Sequence, residues 1–324
     1  MKDALKFVKG AVAKKDFVSA LKHVHIQDGV IQAFNGSIAL SSPIAFKHNL
    51  TPIAADFIKA VEKCKDEPKI SVTKGGKLKV SEGSFKVFVK VTEEVYPAVQ
   101  PVGTLYDCDS NLLECFESLH PFIGTDAAKP WSMGIIIRDG YAYATNNVVL
   151  ACYTKPVKFP FNIVIPKNAV DEILRLKQEV IQIQMDEKSA TFHFNDSRWM
   201  RTNLIACNAP DFYPIFSKCS FDQKELQAIP EDLYERVDNL KPFLHPKIPT
   251  LIFRQDGVFT DQDDEGASDT EYSFPLGVFR FEPLQKVLLT ATAWNLNYYP
   301  APCPFVGENV SGVIIGQKVR TDAV

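Results

Sequence analysis

The sequence predicts an α+β protein made of three tandem copies of one unit, each with two helices packed on antiparallel sheet. Three observations carry that prediction. First, an Asp-Gly pair stands between alternating apolar segments at Asp28, Asp139 and Asp256, 111 and 117 residues apart. Such a pair is a strong hairpin signal, because its turn needs positive φ. Second, the flanks repeat. "LHPFIG" (119–124) precedes the second pair and "LKPFLH" (240–245) the third, each reading as a helix end, a proline stop and a loop before a strand. Third, each hairpin region leads to a short helical pattern in which Phe57, Val170 and Leu284 hold equivalent places. Apolar partners follow at helical spacing: Ala60 and Val61, Ile173 and Leu174, Val287 and Leu288. Self-similarity at a fixed period is the mark of a repeated architecture.

In chain order, the first copy opens with a helix in "DALKFVKGAVAK" and a strand in "SALKHVHIQDG". A helix in 52–65 and strands over 69–91 follow, turning at Lys74–Lys77. The second copy has a helix in 110–120, the strands around Asp139 and a helix over 165–178. Its strands over 180–206 turn at Asp186–Lys188. The third has a helix in 230–241, the strands around Asp256, a helix over 280–291 and closing strands in 303–319. Tyr-Pro pairs within 96–103 and 211–218 mark the boundaries, giving domains 1–101, 102–217 and 218–324.

The chain has 324 residues, room for two or three cores. With 46% hydrophobic and 23% charged residues it reads as an ordinary globular protein. No stretch approaches the ~20 apolar residues of a membrane helix, and charges interrupt the N-terminal apolar run, so a cytoplasmic location is expected. A net charge of −3 excludes a generally basic surface, so any nucleic-acid contact must be a local patch. Seven cysteines form no metal spacing and read as free, mostly buried thiols. His23 and His25 share a strand face without a third ligand nearby. Gly75-Gly76-Lys77 lacks phosphate-loop spacing. The acidic run 260–271 lacks the ligand order of a calcium loop and reads as solvated. No catalytic motif is present; the expectation is a protein that is not an enzyme, with no cofactor and no metal.

The middle copy carries a resemblance to a family. "IVIPKNAVDEILRL", followed by paired strands and "NLIACNAPDFYPIF", resembles the bacterial β sliding clamp, the processivity factor of the replicative DNA polymerase. "YATNNVVLACY" (143–153) resembles that family's Ala-Thr-Asp-Gly-His-Arg-Leu-Ala strand, and the likeness runs along nearly the whole chain. There are departures. Asn147, Val148 and Val149 replace Gly-His-Arg, and Ile315, Gly316, Gln317 and Lys318 replace Met-Pro-Met-Arg, with "VRTDAV" after them. The opening strand of the first unit looks trimmed. These departures point to a divergent member, of the kind a bacteriophage or other mobile element encodes.

The resemblance implies a head-to-tail homodimer closed into a ring of six domains around double-stranded DNA. Its helices would line the hole, meeting phosphates without reading sequence. The cations it assigns to that lining are Lys6, Lys9, Lys14, Lys15, Lys59, Lys63 and Lys65, with Lys167, Arg175, Lys177 and Lys286. For any one of them an ordinary solvated helix face is an equal reading. Acidic residues such as Glu114, Glu117, Glu231 and Glu235 make the expected lining patchy. The resemblance also implies a pocket for short apolar peptides of the polymerase, the clamp loader and other partners. Its positions here are Thr145, Asn147, Val148, Val149, Leu150, Ser217, Val313, Ile315 and Gln317. A plain core strand is the other reading of 148–150. From a different class, a β-rich protein whose repeat supports self-assembly remains open.

Overall fold

A computed structural model describes residues 1–15, 18–108, 111–260, 267–269 and 272–318. The first copy runs α1 (Lys2–Val8), β1 (His25–Gln27), β2 (Val30–Phe34), β3 (Ile38–Pro43), β4 (Thr51–Pro52), α2 (Ala54–Glu62), β5 (Lys69–Val72), β6 (Leu78–Glu82), β7 (Phe85–Val89) and β8 (Val91–Thr92). The second runs β9 (Thr104–Asp107), α3 (Leu112–Leu119), β10 (Gly134–Arg138), β11 (Tyr141–Thr145), β12 (Val149–Tyr153), β13 (Ile163–Pro166), α4 (Lys167–Leu176), β14 (Gln182–Met185), β15 (Ser189–His193) and β16 (Trp199–Asn203). The third runs α5 (Tyr213–Phe216), β17 (Gln227–Ala228), α6 (Leu233–Asn239), β18 (Thr250–Arg254), β19 (Gly257–Thr260), β20 (Ala267–Asp269), β21 (Gly277–Arg280), α7 (Phe281–Thr290), β22 (Ala291–Trp294), β23 (Cys303–Gly307) and β24 (Val310–Ile314). The pattern helix, four strands, helix, three strands thus occurs three times, with the short strand β8 added at the end of the first copy. Phe57, Val170 and Leu284 are all fully buried, each on the second helix of its copy.

By its internal contacts the chain divides into two compact units, 1–113 with 171–204 and 114–170 with 205–324. These do not follow the repeats, because sheets join strands of successive copies. In the first unit a seven-stranded sheet has the order β1-β2-β3-β16-β15-β14-β9. Its joint is β3 against β16, with Leu40 opposite Met200. In the second unit an eight-stranded sheet has the order β13-β10-β11-β12-β24-β23-β22-β17. Its joint is β12 against β24, with Leu150 opposite Val313. Both joints obey one rule: the third strand after the first helix of a copy pairs antiparallel with the third strand after the second helix of the next. One half-sheet of each end copy is left over, β5-β6-β7 in the first unit and β20-β19-β18-β21 in the second. The sheet β5-β6-β7 has three strands where β9-β14-β15-β16 and β17-β22-β23-β24 have four.

The three Asp-Gly turns are not alike. Asp28 (φ 50°) with Gly29 (φ 79°), and Asp139 (φ 52°) with Gly140 (φ 83°), have both central residues left-handed, the type I′ geometry. Each Asp N–H also donates to a later asparagine, Asn49 or Asn162, at 3.0 Å. In the third copy Arg254 pairs with Gly257, so the turn is Gln255-Asp256 and the glycine lies inside β19. That register turns Val258 inward opposite Phe253, where both are buried, whereas Val30 and Tyr141 after the other two turns are exposed.

Other expectations need correction. Ser19–Lys22 of the predicted first strand is a 3-10 turn, and only His25–Gln27 is strand. The segment 96–103 is tied down: Tyr96 is buried and stacked on His25 at 5.1 Å, and Val99 exchanges two 2.8 Å hydrogen bonds with the Gln32 side chain. Of the acidic run, 261–266, 270 and 271 lie outside the described residues, as does the segment after Lys318; Ala267–Asp269 forms β20. Among the described residues no group of metal-ligating side chains occurs, and no helix is long and apolar enough to cross a membrane.

Candidate partner-binding cleft and cationic helices

The segment joining β11 to β12 is built by its own polar side chains. Asn146 Oδ1 accepts from the N–H groups of Val148 (3.0 Å) and Val149 (2.7 Å). Thr145 Oγ1 accepts from Asn147 N–H (3.0 Å) and donates to Val149 O (2.8 Å), while Asn147 takes φ 69°. Asn35 and Asp186 close the corresponding turns before β3 and β15 in the same way. Ile315 N–H donates to Val148 O at 2.9 Å, and Gln317 N–H to Val278 O at 2.7 Å, which carries the chain after β24 across to β21. The Tyr299 hydroxyl donates to Gln317 O.

Val148 and Gln317 thereby line a cleft of about 980 Å³ within the second unit. Its apolar surface comes from Ile123, Val148, Ile248, Ile252, Val278 and Pro283. Lys247, Arg280, Lys286 and Lys318 bring four cations to its walls, against the two carboxylates of Asp126 and Glu282. His245 shapes one wall: its Nδ1 accepts from the N–H groups of Lys247 (3.3 Å) and Ile248 (3.2 Å).

Of the nine residues expected to form the peptide pocket, Val148 and Gln317 line this cleft and the other seven do not. Thr145 and Asn147 shape the turn. Leu150 and Val313, paired across the sheet joint, belong to a cluster with buried Phe212, onto which the half-buried Trp131, Phe216 and Phe221 pack. Val149, the next residue along, is buried in the strand opposite Ile314. Ile315 and Ser217 are exposed and do not line the cleft. Of 148–150, Val149 and Leu150 lie in the buried strand β12, as the core-strand reading has it, while Val148 stands before the strand and lines the cleft. The cations of the cleft come from three separate segments, none a motif in itself, so spacing does not gather them; Lys286 is one of the cations expected on the helix lining.

The cations assigned to DNA divide likewise. Lys6 on α1 and Lys59 and Lys63 on or just after α2 are exposed, in the first unit, as are Lys14, Lys15, Lys65 and Lys177. Lys9 stands 3.7 Å from Glu62 in an exposed pair, worth little. Arg175 is committed to structure. Its Nε lies 3.0 and 2.9 Å from the two Glu172 carboxylate oxygens, and its Nη atoms donate to Lys6 O (3.1 Å) and Phe7 O (2.8 Å), the last turn of α1. Lys167 Nζ lies 3.3 Å from His120 Nε2 in the second unit. Glu114 is likewise engaged, by Lys155 Nζ at 2.9 Å and the Tyr153 hydroxyl at 3.0 Å. The Lys155 hydrogen bond, with that of Tyr153, holds the Glu114 carboxyl below its ordinary range against the opposing effect of burial. All seven cysteines are free, and burial pushes Cys152 and Cys303 up to about 12, so both remain neutral thiols at neutral pH.

Comparison with solved structures decides the fold. A β sliding clamp from Caulobacter crescentus superposes with a TM-score of 0.80 at 16% identity, over 98% of this chain and 97% of that one. The chain has the sliding-clamp fold. A second structure with that fold, the Helicobacter pylori β clamp bound to a DNA ligase peptide, superposes with a TM-score of 0.76 at 17% identity, over the same shares. A third, from Bartonella birtlesii and bound to griselimycin, gives 0.80 at 16% over the same shares. In sequence, the β sliding clamp of Helicobacter pylori is 25% identical over 317 residues, 86% of this chain and 83% of that protein. No protein-family profile matches the chain.

Proposed function

We propose that this chain is a divergent β sliding clamp: a non-enzymatic processivity factor that encircles duplex DNA and tethers a polymerase by a short peptide. The observation that carries the reading is the sheet rule. Each of the first two copies pairs the third strand after its first helix with the third strand after the second helix of the next copy, and among the described residues the half-sheets β5-β6-β7 and β20-β19-β18-β21 have no such partner. Applied once more, the rule pairs β20 of one chain with β7 of a second. That contact is heterologous, and two of them related by a twofold axis close a head-to-tail dimer of six domains. The domains are 1–101, 102–217 and 218–324, and the exposed cations Lys6, Lys59 and Lys63 serve sequence-independent phosphate contact. The likeness to a clamp solved with a ligase peptide supports a peptide site in the second unit, with the cleft at Val148 and Gln317 as its place.

The test is topological. The protein is loaded by a clamp loader onto nicked circular DNA, purified by gel filtration, and the DNA is then cut once. A clamp stays with circles and is lost from linear DNA. Equal retention before and after cutting overturns the reading.

A further inference from the structure

The cleft in the second unit joins an apolar floor to an excess of positive charge. Val148, Ile248, Val278 and Pro283 offer surface for apolar side chains, while Lys247, Arg280, Lys286 and Lys318 stand around them. None of these four cations has an ion-pair partner among the described residues. The first turn of α7, a ten-residue helix whose N-terminus has no side-chain cap, lies in the same wall and adds its partial positive charge. A purely apolar peptide would meet this surface without using the cations.

We infer that the cleft selects an acidic partner segment, a short peptide whose apolar side chains seat on Val148, Ile248 and Pro283 while flanking aspartates or glutamates meet Lys247, Arg280, Lys286 and Lys318. This rests on the reading of the cleft as a peptide site and adds the chemistry of its ligand. Charge complementarity at the rim of an apolar site sets which partner binds and how fast more than it sets bulk affinity. Two features favour a peptide over a nucleic acid as occupant. The carboxylates of Asp126 and Glu282 would repel a continuous phosphate backbone. Apart from the His245 imidazole, whose Nδ1 is held by two backbone N–H groups, the lining carries no aromatic ring on which bases could stack. A polypeptide can set its own lysine or amide opposite those carboxylates, and a phosphate chain cannot.

The experiment uses the full chain and fluorescence anisotropy with two labelled ten-residue peptides. One carries two leucines and a phenylalanine flanked by four aspartates; its twin has asparagine at each aspartate. The acidic peptide is expected to bind about tenfold more tightly at low salt, the sum of several exposed ion pairs. The preference shrinks as salt screens it. In the double variant Lys247→Glu, Arg280→Glu the preference inverts, and a peptide with lysines at the four positions then binds best. That reciprocal gain of binding separates a charge effect from misfolding. Equal binding of the acidic and neutral peptides by the native protein overturns the inference and leaves the clamp reading standing. Binding of neither peptide, with topological retention on circles intact, overturns it as well. So does a single-stranded oligonucleotide that displaces the acidic peptide from the native protein and is itself lost in the double variant, because the cations would then serve nucleic acid.

Discussion

Arg175 illustrates how a residue's type and its use part company. It sits on α4 among apparent phosphate-binding cations, yet its guanidinium bridges the Glu172 carboxylate and the last carbonyls of α1. Glu172 is nearly buried, and Gly10 leaves it room, since a Cβ there would overlap the carboxylate. Arg175→Met strands a buried carboxylate and is expected to cost about 2 kcal/mol, discounted for the partial exposure of the arginine, read as a lower urea midpoint at unchanged slope. Glu114 gives a prediction in pH. Its folded pKa is depressed, so its bonds to Lys155 and Tyr153 add stability above the ordinary glutamate value of about 4.3, and that share is lost as pH falls through the folded value. Glu114→Gln should therefore lie below the native protein in stability at pH 7 and converge with it in acid, as followed by circular dichroism across the titration. Of these partnerships only Glu172 with Arg175, three residues apart on one helix, is legible in sequence: Arg175 and the carbonyls it caps are far apart in the chain, and the lysine that holds Glu114 lies in the loop after β12.

At the scale of elements, the helices were legible and the turns only partly so. The second helix of every copy has its apolar stripe where spacing predicts, because a helix packed on a sheet must bury one face. The Asp-Gly turns were read as three equals, and two are. Gly140→Ala is expected to cost about 1 kcal/mol in thermal or urea unfolding, from φ 83° alone, since a Cβ there meets nothing within 4 Å. The third copy uses the same letters in another register, because burying Val258 under Phe253 outweighs keeping glycine in the turn. In the polar turn before β12, Asn146 satisfies two N–H groups and so places Val148 on the cleft, a role that no spacing in the sequence marks. Asn146→Ala should cost about 1–2 kcal/mol and weaken binding of the acidic peptide more than it weakens assembly, as read by anisotropy beside light scattering.

For the whole molecule, the decisive feature is that sheets cross the repeats. A copy does not close on itself; each lends a strand to the next, and the two half-sheets left over point to a second chain. The strand β7 carries Phe88, 55% exposed on an edge with its apolar surface uncovered, a liability in a lone protomer and a contact in a ring. On the proposed head-to-tail assembly, Phe88→Asp leaves the fold intact and yields a 36.2 kDa monomer in place of a dimer, measured by light scattering, with loss of retention on circular DNA. A dimer that survives the substitution would remove β7 from the interface.

The sequence by itself determined the threefold period, the helix stripes, the free thiols and the likeness to a clamp. All of these are local patterns or their repetition, and hydrophobic spacing and turn chemistry act over a few residues. Only the tertiary structure decided which strands pair across copies, which cations stay free and which cap helices, and that Val148 and Gln317 join Arg280 and Lys247 around one cleft. Those outcomes depend on contacts between segments far apart in the chain, fixed when the sheets join, and no local pattern records them.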